Sequence, residues 1–401
     1  MTRLDSTPDS PVHEPALGAG PYDSIVIGAG QAGLSASHHL QRLGIDHVVL
    51  DADRRPGGAW QHRWDELTMG DVHGVADLPG APRPPAAPGA RANTAVPAYF
   101  AAYEEHFDLP VVRPAQVARV DRVPAGFALR VVTPAGESTV VTRTLVNATG
   151  TWTRPFIPYY PGIATFAGRQ LHTADYPGAD WFVGRRTLVV GGGASAVQFL
   201  GQLGPLLGPD NVLWATRRPP VWRTGEFTPE VGSEVVAKVS ERVRQGLPPR
   251  SVVSVTGLML REQEQAAADL GIYDARRPMF DRIEPYGVRW DPSTGPGGVV
   301  GSGDGGGAYE PVDVILWATG FRPAIEHLAP LGLRSAYGGI RLADDETTVV
   351  ADPRVQLVGY GPSASTIGGN RAGRRAALGV RRALRSAVAA GPRGGVAATA
   401  G

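Results

Sequence analysis

The stretch SIVIGAGQAG at residues 24–33 decides the fold of this 401-residue chain. Its first four residues predict a buried strand, and Gly28, Gly30 and Gly33 predict a tight turn that opens a helix. Such a turn presents backbone N–H groups and the positive end of a helix to a pyrophosphate, and Gln31 lies within it. One copy is a weak indication, because short glycine patterns arise by chance in a chain with 53 glycines.

A second copy of the pattern is TLVVGGGASA at residues 187–196. Gly191 and Gly193 form its turn, and Ser195 lies at the start of the helix that follows. Two such turns, each between a strand and a helix, predict that one chain binds two dinucleotides. The usual reason to hold two is to pass a hydride from one to the other.

The two units also end alike, each in a strand that finishes in Ala-Thr-Gly. The first unit runs 122 residues from Gly28 to Gly150, and the second runs 129 residues from Gly191 to Gly320. Two units of similar length that begin with the same turn and end with the same motif predict an α/β protein. Its two domains are expected to be doubly wound, Rossmann-like dinucleotide-binding domains.

The first domain is expected to be discontinuous, with the second inserted in it. A strand that ends in Gly361 and a helix at about 366–388 complete the first domain, and Gly361, like Gly150 and Gly320 at the Ala-Thr-Gly strand ends, is expected to contact a cofactor. The expected boundaries are a disordered tail at 1–20, the first domain at 21–160 and 318–388, the second at 161–317, with 151–184 as a linker, and a flexible tail at 389–401.

The composition excludes several classes of protein. The net charge is +1, so no overall field attracts nucleic acid or a membrane, and neither is expected as a partner. No stretch approaches the roughly 18 apolar residues of a membrane span, and the first twenty residues lack the apolar core of a secretory signal. The chain has no cysteine, which fits the cytoplasm and excludes a dithiol redox centre. No metal site is expected.

Charged residues after the second strand of each unit predict which nucleotide it takes. Asp51 lies 23 residues after Gly28, where a carboxylate accepts hydrogen bonds from an adenosine ribose, and Asp53 is a nearby alternative. The second unit has Arg217 and Arg218 at this place and no acid. Arginine suits a 2′-phosphate, which favours NADPH over NADH.

The segment GGAW at residues 57–60 is expected to contact the first cofactor. Gly58 allows the backbone to approach it, and Trp60 offers a flat apolar wall.

Between the two turns lies FAGRQLHTADYP, at residues 166–177. With both turns in place, this segment resembles the fingerprint Phe-x-Gly-x-x-x-His-x-x-x-(Tyr/Phe/Trp) of the class B flavin-containing monooxygenases. The resemblance covers roughly residues 21–385. It implies that the first turn and Asp51 bind FAD and that the second turn and Arg217 bind NADPH. It also implies that His172 is a hinge or coupling residue rather than a proton-transfer base, with Tyr176 completing the fingerprint.

The family resemblance implies an NADPH-dependent FAD monooxygenase that uses O2 to insert one oxygen atom into a small organic substrate. Family members often carry an asparagine near the flavin, whereas the corresponding stretch at 67–73 has none and offers Asp71 as a catalytic candidate. Two alternative functions therefore remain: an NADPH-dependent flavin reductase or oxidase, and a redox-sensing flavoprotein. The choice between N/S-oxygenation and Baeyer–Villiger oxidation is also not decided, because Tyr176 is typical of the N/S-oxygenating members and Pro177 of the Baeyer–Villiger members.

The substrate pocket is harder to locate in the sequence. Candidates for its roof come from the insertion in the second unit: Trp222, Phe227 and the apolar helix faces at 235–243 and 258–260. Packing in a core is an equally good interpretation of these residues.

Overall fold

The first glycine-rich turn lies between a buried strand and a helix. In the computed structural model, which describes residues 17–18, 20–72, 74–223, 239–249, 257–291 and 308–389, β1 spans Tyr22–Ile27 and α1 spans Gln31–Arg42. The helix ends before Gly44, whose φ of +65° suits glycine. The strand β2, His47–Leu50, then pairs with β1 in parallel.

The first sheet has a parallel part and an antiparallel part that share one long strand. β3 (Val111–Val112), β2, β1, β6 (Gly136–Asn147) and β14 (Val355–Leu357) lie side by side in parallel. The first half of β6 also pairs antiparallel with β5 (Gly126–Thr133), which pairs with β4 (Gln116–Val123). Because β14 comes from the end of the chain, this sheet is completed only after the second unit.

The two faces of the parallel strands are covered differently. Val26 faces α1 and the helices α2 (Ala92–His106) and α5 (Thr366–Ala389). Its neighbours Ile25 and Ile27 face the opposite way, toward the antiparallel β4–β5 layer. Alternate residues of one strand therefore enter two different cores, as expected for a strand buried on both faces.

The second sheet repeats this plan. Its four parallel strands lie in the order β7 (Arg169–His172), β13 (Val314–Trp317), β8 (Thr187–Val190) and β9 (Val212–Ala215). One face packs on α3 (Ala194–Leu207) and α4 (Glu262–Asp269). The other packs on Phe280 and Trp290, next to a small antiparallel sheet of β10 (Arg282–Glu284), β11 (Gly287–Arg289) and β12 (Tyr309–Pro311). The predicted fold class is confirmed.

The prediction that 151–184 is only a linker was wrong. Residues 169–172 form the edge strand β7, which pairs along its whole length with β13. A four-residue strand with three polar residues shows no clear hydrophobic periodicity, and its partner strand is more than 140 residues away in the sequence. Only tertiary pairing makes it a strand.

Two other expectations concern the chain ends. In the helix expected at about 366–388, the apolar residues Ala377 and Val380 are buried, whereas Val388 is 73% exposed. Of the tails predicted at 1–20 and 389–401, residues 1–16, 19 and 390–401 lie outside the described residues, as do Phe227 and residues 235–238 of the expected pocket roof.

Within the described ranges, no helix is both long and apolar enough to span a bilayer.

Candidate active site

The first glycine-rich turn is packed so tightly that Gly28 and Gly33 cannot be replaced by a residue with a side chain. Gly28 has φ of +100°, and a Cβ there would lie 2.8 Å from the carbonyl oxygen of Ala148. A Cβ on Gly33 would lie 1.9 Å from the Gly28 oxygen, and one on Gly58 would lie 2.8 Å from the Cα of Gly30. Among the described side chains none caps α1 at Gly30, so its first N–H groups are available to a phosphate.

Asp51 lies at the carboxyl end of β2 and is 5% exposed. Its Oδ2 accepts a hydrogen bond from Ala29 N–H (2.7 Å), and its Oδ1 accepts one from Asp53 N–H (2.9 Å). Burial raises the pKa of Asp51, while these hydrogen bonds and Arg113 oppose the rise. The carboxylate therefore ties the second strand to the glycine-rich turn.

The alternative carboxylate, Asp53, faces the short 3₁₀ helix Gly58–His62. Gln61 and His62 each donate a hydrogen bond to it, both at 3.0 Å. Gln31 also makes a structural contact, because its Nε2 donates to Ala76 O at 2.7 Å.

Sequence reasoning missed the arginine that supports Asp51. The Arg113 guanidinium lies 3.8 Å from Asp51 Oδ2 and donates two hydrogen bonds to Glu104, at 2.5 and 2.9 Å. Arg113 follows β3 and Glu104 lies on α2, so these charges come from elements that are separate in the sequence. No local pattern marks them.

The second turn has the same construction as the first. Gly191 has φ of +143°, and a Cβ on it would lie 2.2 Å from the carbonyl oxygen of Ala318. Each turn is thus pressed against the alanine of an Ala-Thr-Gly strand end, Ala148 in the first unit and Ala318 in the second. This contact explains why each unit has both a glycine-rich turn near its start and an Ala-Thr-Gly motif near its end. A Cβ on Gly193 would meet open space, and Ser195 lies half-buried in the first turn of α3.

Arg217 and Arg218 follow β9 at the carboxyl edge of the second sheet, and both are exposed. Thr216 lies between them and the strand, and its Oγ1 donates to Arg218 O at 2.7 Å. A third arginine, Arg276, reaches the same place and donates to Thr216 Oγ1 at 3.0 Å. The sequence did not indicate Arg276 because it lies 60 positions after Thr216.

The two segments that cross between the sheets pair with each other. Phe156 N–H donates to Gly320 O at 3.0 Å, and Ala324 N–H donates to Gly150 O at 2.9 Å. Gly150 and Gly320 have φ of +62° and +78°. We call residues 150–156 and 320–324 the crossing segments.

His172 lies at the end of β7 and is 1% exposed. Its Nδ1 accepts from Ala174 N–H at 3.2 Å, so the proton lies on Nε2, which donates to Gly320 O at 2.9 Å. Burial lowers the pKa of His172. Both ring nitrogens are engaged by backbone, and the imidazole joins the fingerprint to a crossing segment.

Tyr176 lies in the core between α3 and the segment at 57–64. It is 6% exposed, and its ring stacks on Phe199 with centroids 4.3 Å apart. Its hydroxyl donates to Gln202 Oε1 at 3.1 Å, and burial raises its pKa. This is the environment of a packing residue, and a catalytic role for Tyr176 stays a prediction.

Asp71 lies beside a cavity of about 230 Å³ between the two units. Its Oδ2 accepts from Thr68 Oγ1 at 2.6 Å. The cavity is lined by Trp64, Leu67 and Asp71 from the first unit and by Gln198, Gly201, Gln202 and Gln263 from α3 and α4. The structure thus brings one predicted residue next to polar side chains that the sequence did not single out.

Of two residues predicted at the pocket or cofactor, Gly361 lies in packed surroundings, whereas Trp222 is 37% exposed. A Cβ on Gly361 would lie 2.7 Å from a methyl carbon of Val243, whereas a Cβ on Gly359 would lie 3.9 Å from Gly150 Cα. Gly359 is therefore the glycine of this segment that adjoins the first strand end. Trp222, on the expected roof, packs against Tyr273 with ring centroids 5.5 Å apart.

Comparison with known proteins places the chain in a family. The model for pyridine nucleotide-disulphide oxidoreductases matches residues 25–219. A solved flavin-containing monooxygenase from Stenotrophomonas maltophilia is 32% identical, with a TM-score of 0.73, over 91% of this chain and 99% of that one. The chain belongs to the class B flavin-containing monooxygenase family. The predicted family is confirmed, and the lack of cysteine separates this flavin monooxygenase family member from the disulphide reductases named by the broader model.

Curated relatives of this family member match over a shorter region. The oxidoreductase CzcO of Bacillus velezensis is 30% identical over 182 residues, which are 45% of this chain and 52% of that protein. An indole-3-pyruvate monooxygenase of Oryza sativa subsp. japonica is 32% identical over 44% of this chain and 43% of that protein. The chain spans about half the length of the curated relatives it matches.

Proposed function

We propose that this chain is an NADPH-dependent FAD monooxygenase that inserts one oxygen atom of O2 into a small organic substrate. One observation carries the proposal: two glycine-rich turns each press on a strand end next to a crossing segment, and the buried His172 is hydrogen-bonded to one of these segments at Gly320.

The first cradle fits FAD. Gly28, Gly30 and Gly33 leave the space a Cβ would fill, and α1 begins there without a side-chain cap among the described residues. Asp51 would orient the adenosine ribose, and Gly58 and Trp60 would adjoin the rest of the cofactor. The FAD domain would comprise residues 21–160 and 318–388.

The second cradle fits NADPH, in a domain at residues 161–317. Gly191, Gly193 and Ser195 would meet the pyrophosphate at the start of α3. Arg217 and Arg218 would face the 2′-phosphate, because they are exposed at the end of β9 and no acid adjoins them in the sequence. When bound, the two cofactors supply the reducing equivalents and the activation of oxygen.

The residues of this chain position the reactants and exclude water. The crossing segments set the distance between the two cradles, and His172 links them to the second sheet by holding its proton on Nε2 toward Gly320. An imidazole with both nitrogens engaged has no free site for taking a proton from a substrate, which supports a coupling role.

A reductase or oxidase without substrate oxygenation is the second candidate. The observation in its favour is Asp71, which stands in the stretch where family members often carry an asparagine. Its carboxylate accepts a hydrogen bond from Thr68 Oγ1. None of the described residues 67–72 carries a side-chain amide that could donate to the flavin.

Product balance distinguishes the two candidates. Purified protein is loaded with FAD and supplied with NADPH, O2 and a panel of thioethers, amines and ketones, and oxygenated product and H2O2 are measured per NADPH consumed. Oxygenated product in at least half the turnovers for one substrate supports the monooxygenase. H2O2 equal to NADPH with every substrate supports the oxidase and contradicts our proposal.

A further inference from the structure

Arg63 is a largely buried cation with no carboxylate partner in the part of the chain that the structure describes. Its guanidinium carbon lies 4.4 Å from the ring centroid of Trp152 and 5.7 Å from that of Trp60. Its Nε is buried without a hydrogen-bond acceptor. Burial lowers the pKa of Arg63 to about 10, so the side chain stays charged at neutral pH.

Several other partly buried arginines have acceptors within the chain, which are backbone carbonyls for Arg185 and Arg261 and carboxylates in the following three cases. Arg113 reaches Glu104 at 2.5 Å, and Arg186 and Arg277 reach Glu310 at 2.7 and 2.5 Å. A buried charge without a counter-charge is costly, and stacking on two indoles offsets only part of that cost. Arg63 is therefore equipped for an anion that comes from outside the chain.

The position of Arg63 places that anion between the two cradles. Trp152 lies two residues after Gly150, and its ring stacks on Phe321 with centroids 5.0 Å apart. Phe321 in turn contacts the His172 ring at 4.8 Å. In α/β sheets of this kind, ligands bind outside the carboxyl ends of the strands, and Trp152 and Phe321 both follow such ends.

The phosphates of the two nucleotides already have other partners. Each glycine turn offers backbone N–H groups to a pyrophosphate, and Arg217 and Arg218 stand at the edge where a 2′-phosphate lies. Arg63 belongs to neither turn. We propose that Arg63 binds the carboxylate of an organic-acid substrate, an inference that rests on the proposed monooxygenase function and names its substrate class.

The test is equilibrium binding to the FAD-loaded full chain in the presence of NADP⁺. Calorimetry compares three aromatic acids, 4-(methylthio)benzoate, indole-3-acetate and phenylpyruvate, with their neutral methyl esters. The variants are Arg63→Met, which keeps the bulk without charge, and Arg63→Lys, which keeps the charge without the planar fork. The matched control is Arg91→Met, because Arg91 is an exposed arginine outside both cradles and both crossing segments and is paired with Asp65 at 3.3 Å.

We expect Arg63→Met to weaken binding of at least one acid by about tenfold or more and to leave its ester unchanged. The affinity of Arg63→Lys for that acid should lie between those of the parent and Arg63→Met, and the affinity of Arg91→Met should equal that of the parent. The melting temperature of Arg63→Met should not fall, because the loss of the cation–π contacts with Trp60 and Trp152 is offset by removal of a buried charge.

Three results overturn the inference: no acid binds the parent more tightly than its ester, acid and ester lose affinity equally, or Arg63→Met instead raises the KM for NADPH. The last result assigns Arg63 to a nucleotide phosphate. If the acid binds through Arg63 but every turnover releases H2O2, the carboxylate site stands and the proposed monooxygenase function fails.

Discussion

The Nε2 atom of His172 donates a hydrogen bond to the carbonyl oxygen of Gly320, 2.9 Å away. The two residues lie 148 positions apart, one at the end of the edge strand β7 and the other just after β13. Because Gly320 also accepts from Phe156 N–H, a change at His172 reaches both crossing segments. This contact connects the fingerprint to the passage between the two cradles.

Replacing His172 tests whether this contact couples the two sites. We expect His172→Ala to bind FAD normally, because no cradle residue is lost, but to reduce flavin with NADPH more slowly or to release more H2O2. Loss of a buried hydrogen bond should also lower stability by about 1–3 kcal/mol. Melting temperature, the rate of flavin reduction and peroxide yield are measured on one preparation.

His172→Gln is the matched variant, since its amide can still donate toward Gly320. It should recover part of the coupling that His172→Ala loses. Lower stability with unaltered kinetics and peroxide yield in both variants would show that His172 is purely structural.

Arg217→Ala should remove most of a preference for NADPH over NADH. Loss of a charge-assisted contact to the 2′-phosphate should raise the KM for NADPH by roughly tenfold to a hundredfold. The KM for NADH should not change, because NADH has no 2′-phosphate. The measurement is flavin reduction at increasing concentrations of each coenzyme. The variants Arg218→Ala and Arg276→Ala are measured in the same way. Arg217 and Arg218 directly follow Thr216 in the sequence, and Arg276 donates a hydrogen bond to its hydroxyl. Equal KM values for the two coenzymes in the parent protein would refute the arginine argument.

Asp51→Asn should weaken FAD binding by roughly tenfold and reduce the preference for FAD over FMN, because the adenosine end of FAD loses its carboxylate. Fluorescence titration of the apoprotein with FAD and FMN measures both affinities. Asp53→Asn is the control, since the Asp53 carboxylate binds Gln61 and His62 instead. A larger effect at Asp53 than at Asp51 would reverse the assignment of the ribose carboxylate.

His327 should make the protein less stable in acid. Its Nε2 donates to Asn147 Oδ1 at 2.7 Å, and burial lowers its pKa from 6.5 to about 4. The folded state therefore binds this proton less readily than the unfolded chain, so stability falls as the pH drops below about 6.5 and stops falling near pH 4. The loss is roughly 3 kcal/mol.

Urea unfolding between pH 4 and 7.5 measures this dependence. The variant His327→Gln should flatten the curve, whereas the exposed His106→Gln should leave it as in the parent. Parallel curves for the parent and His327→Gln would refute the assignment.

Most of the fold was predictable because its signals are local. Strand, glycine turn and helix are adjacent in the sequence at both cradles, and a turn that presses on a neighbouring strand end allows only glycine at Gly28 and Gly191. The position of Asp51 at the carboxyl end of β2 was predictable for the same reason, since it follows that strand directly. The family fingerprint around His172 is likewise one short segment.

Residues brought together by the crossing of the chain were not predictable. β7 is a strand only because β13 lies beside it, and Arg113 supports Asp51 only because α2 and β3 meet there. The sequence shows that this segment contains Gly359 and Gly361, but it does not show that Gly359 is the one beside Gly150.

The sequence alone determined that this chain has two dinucleotide cradles, a family fingerprint between them and no dithiol centre, because those properties reside in contiguous residues. The tertiary structure decided what lies between the cradles: the hydrogen bond from His172 to Gly320, the stack of Trp152 on Phe321, and the unpaired Arg63 beside them. These contacts join residues from distant parts of the chain, and their energies depend on burial and distance, which exist only once the chain has folded.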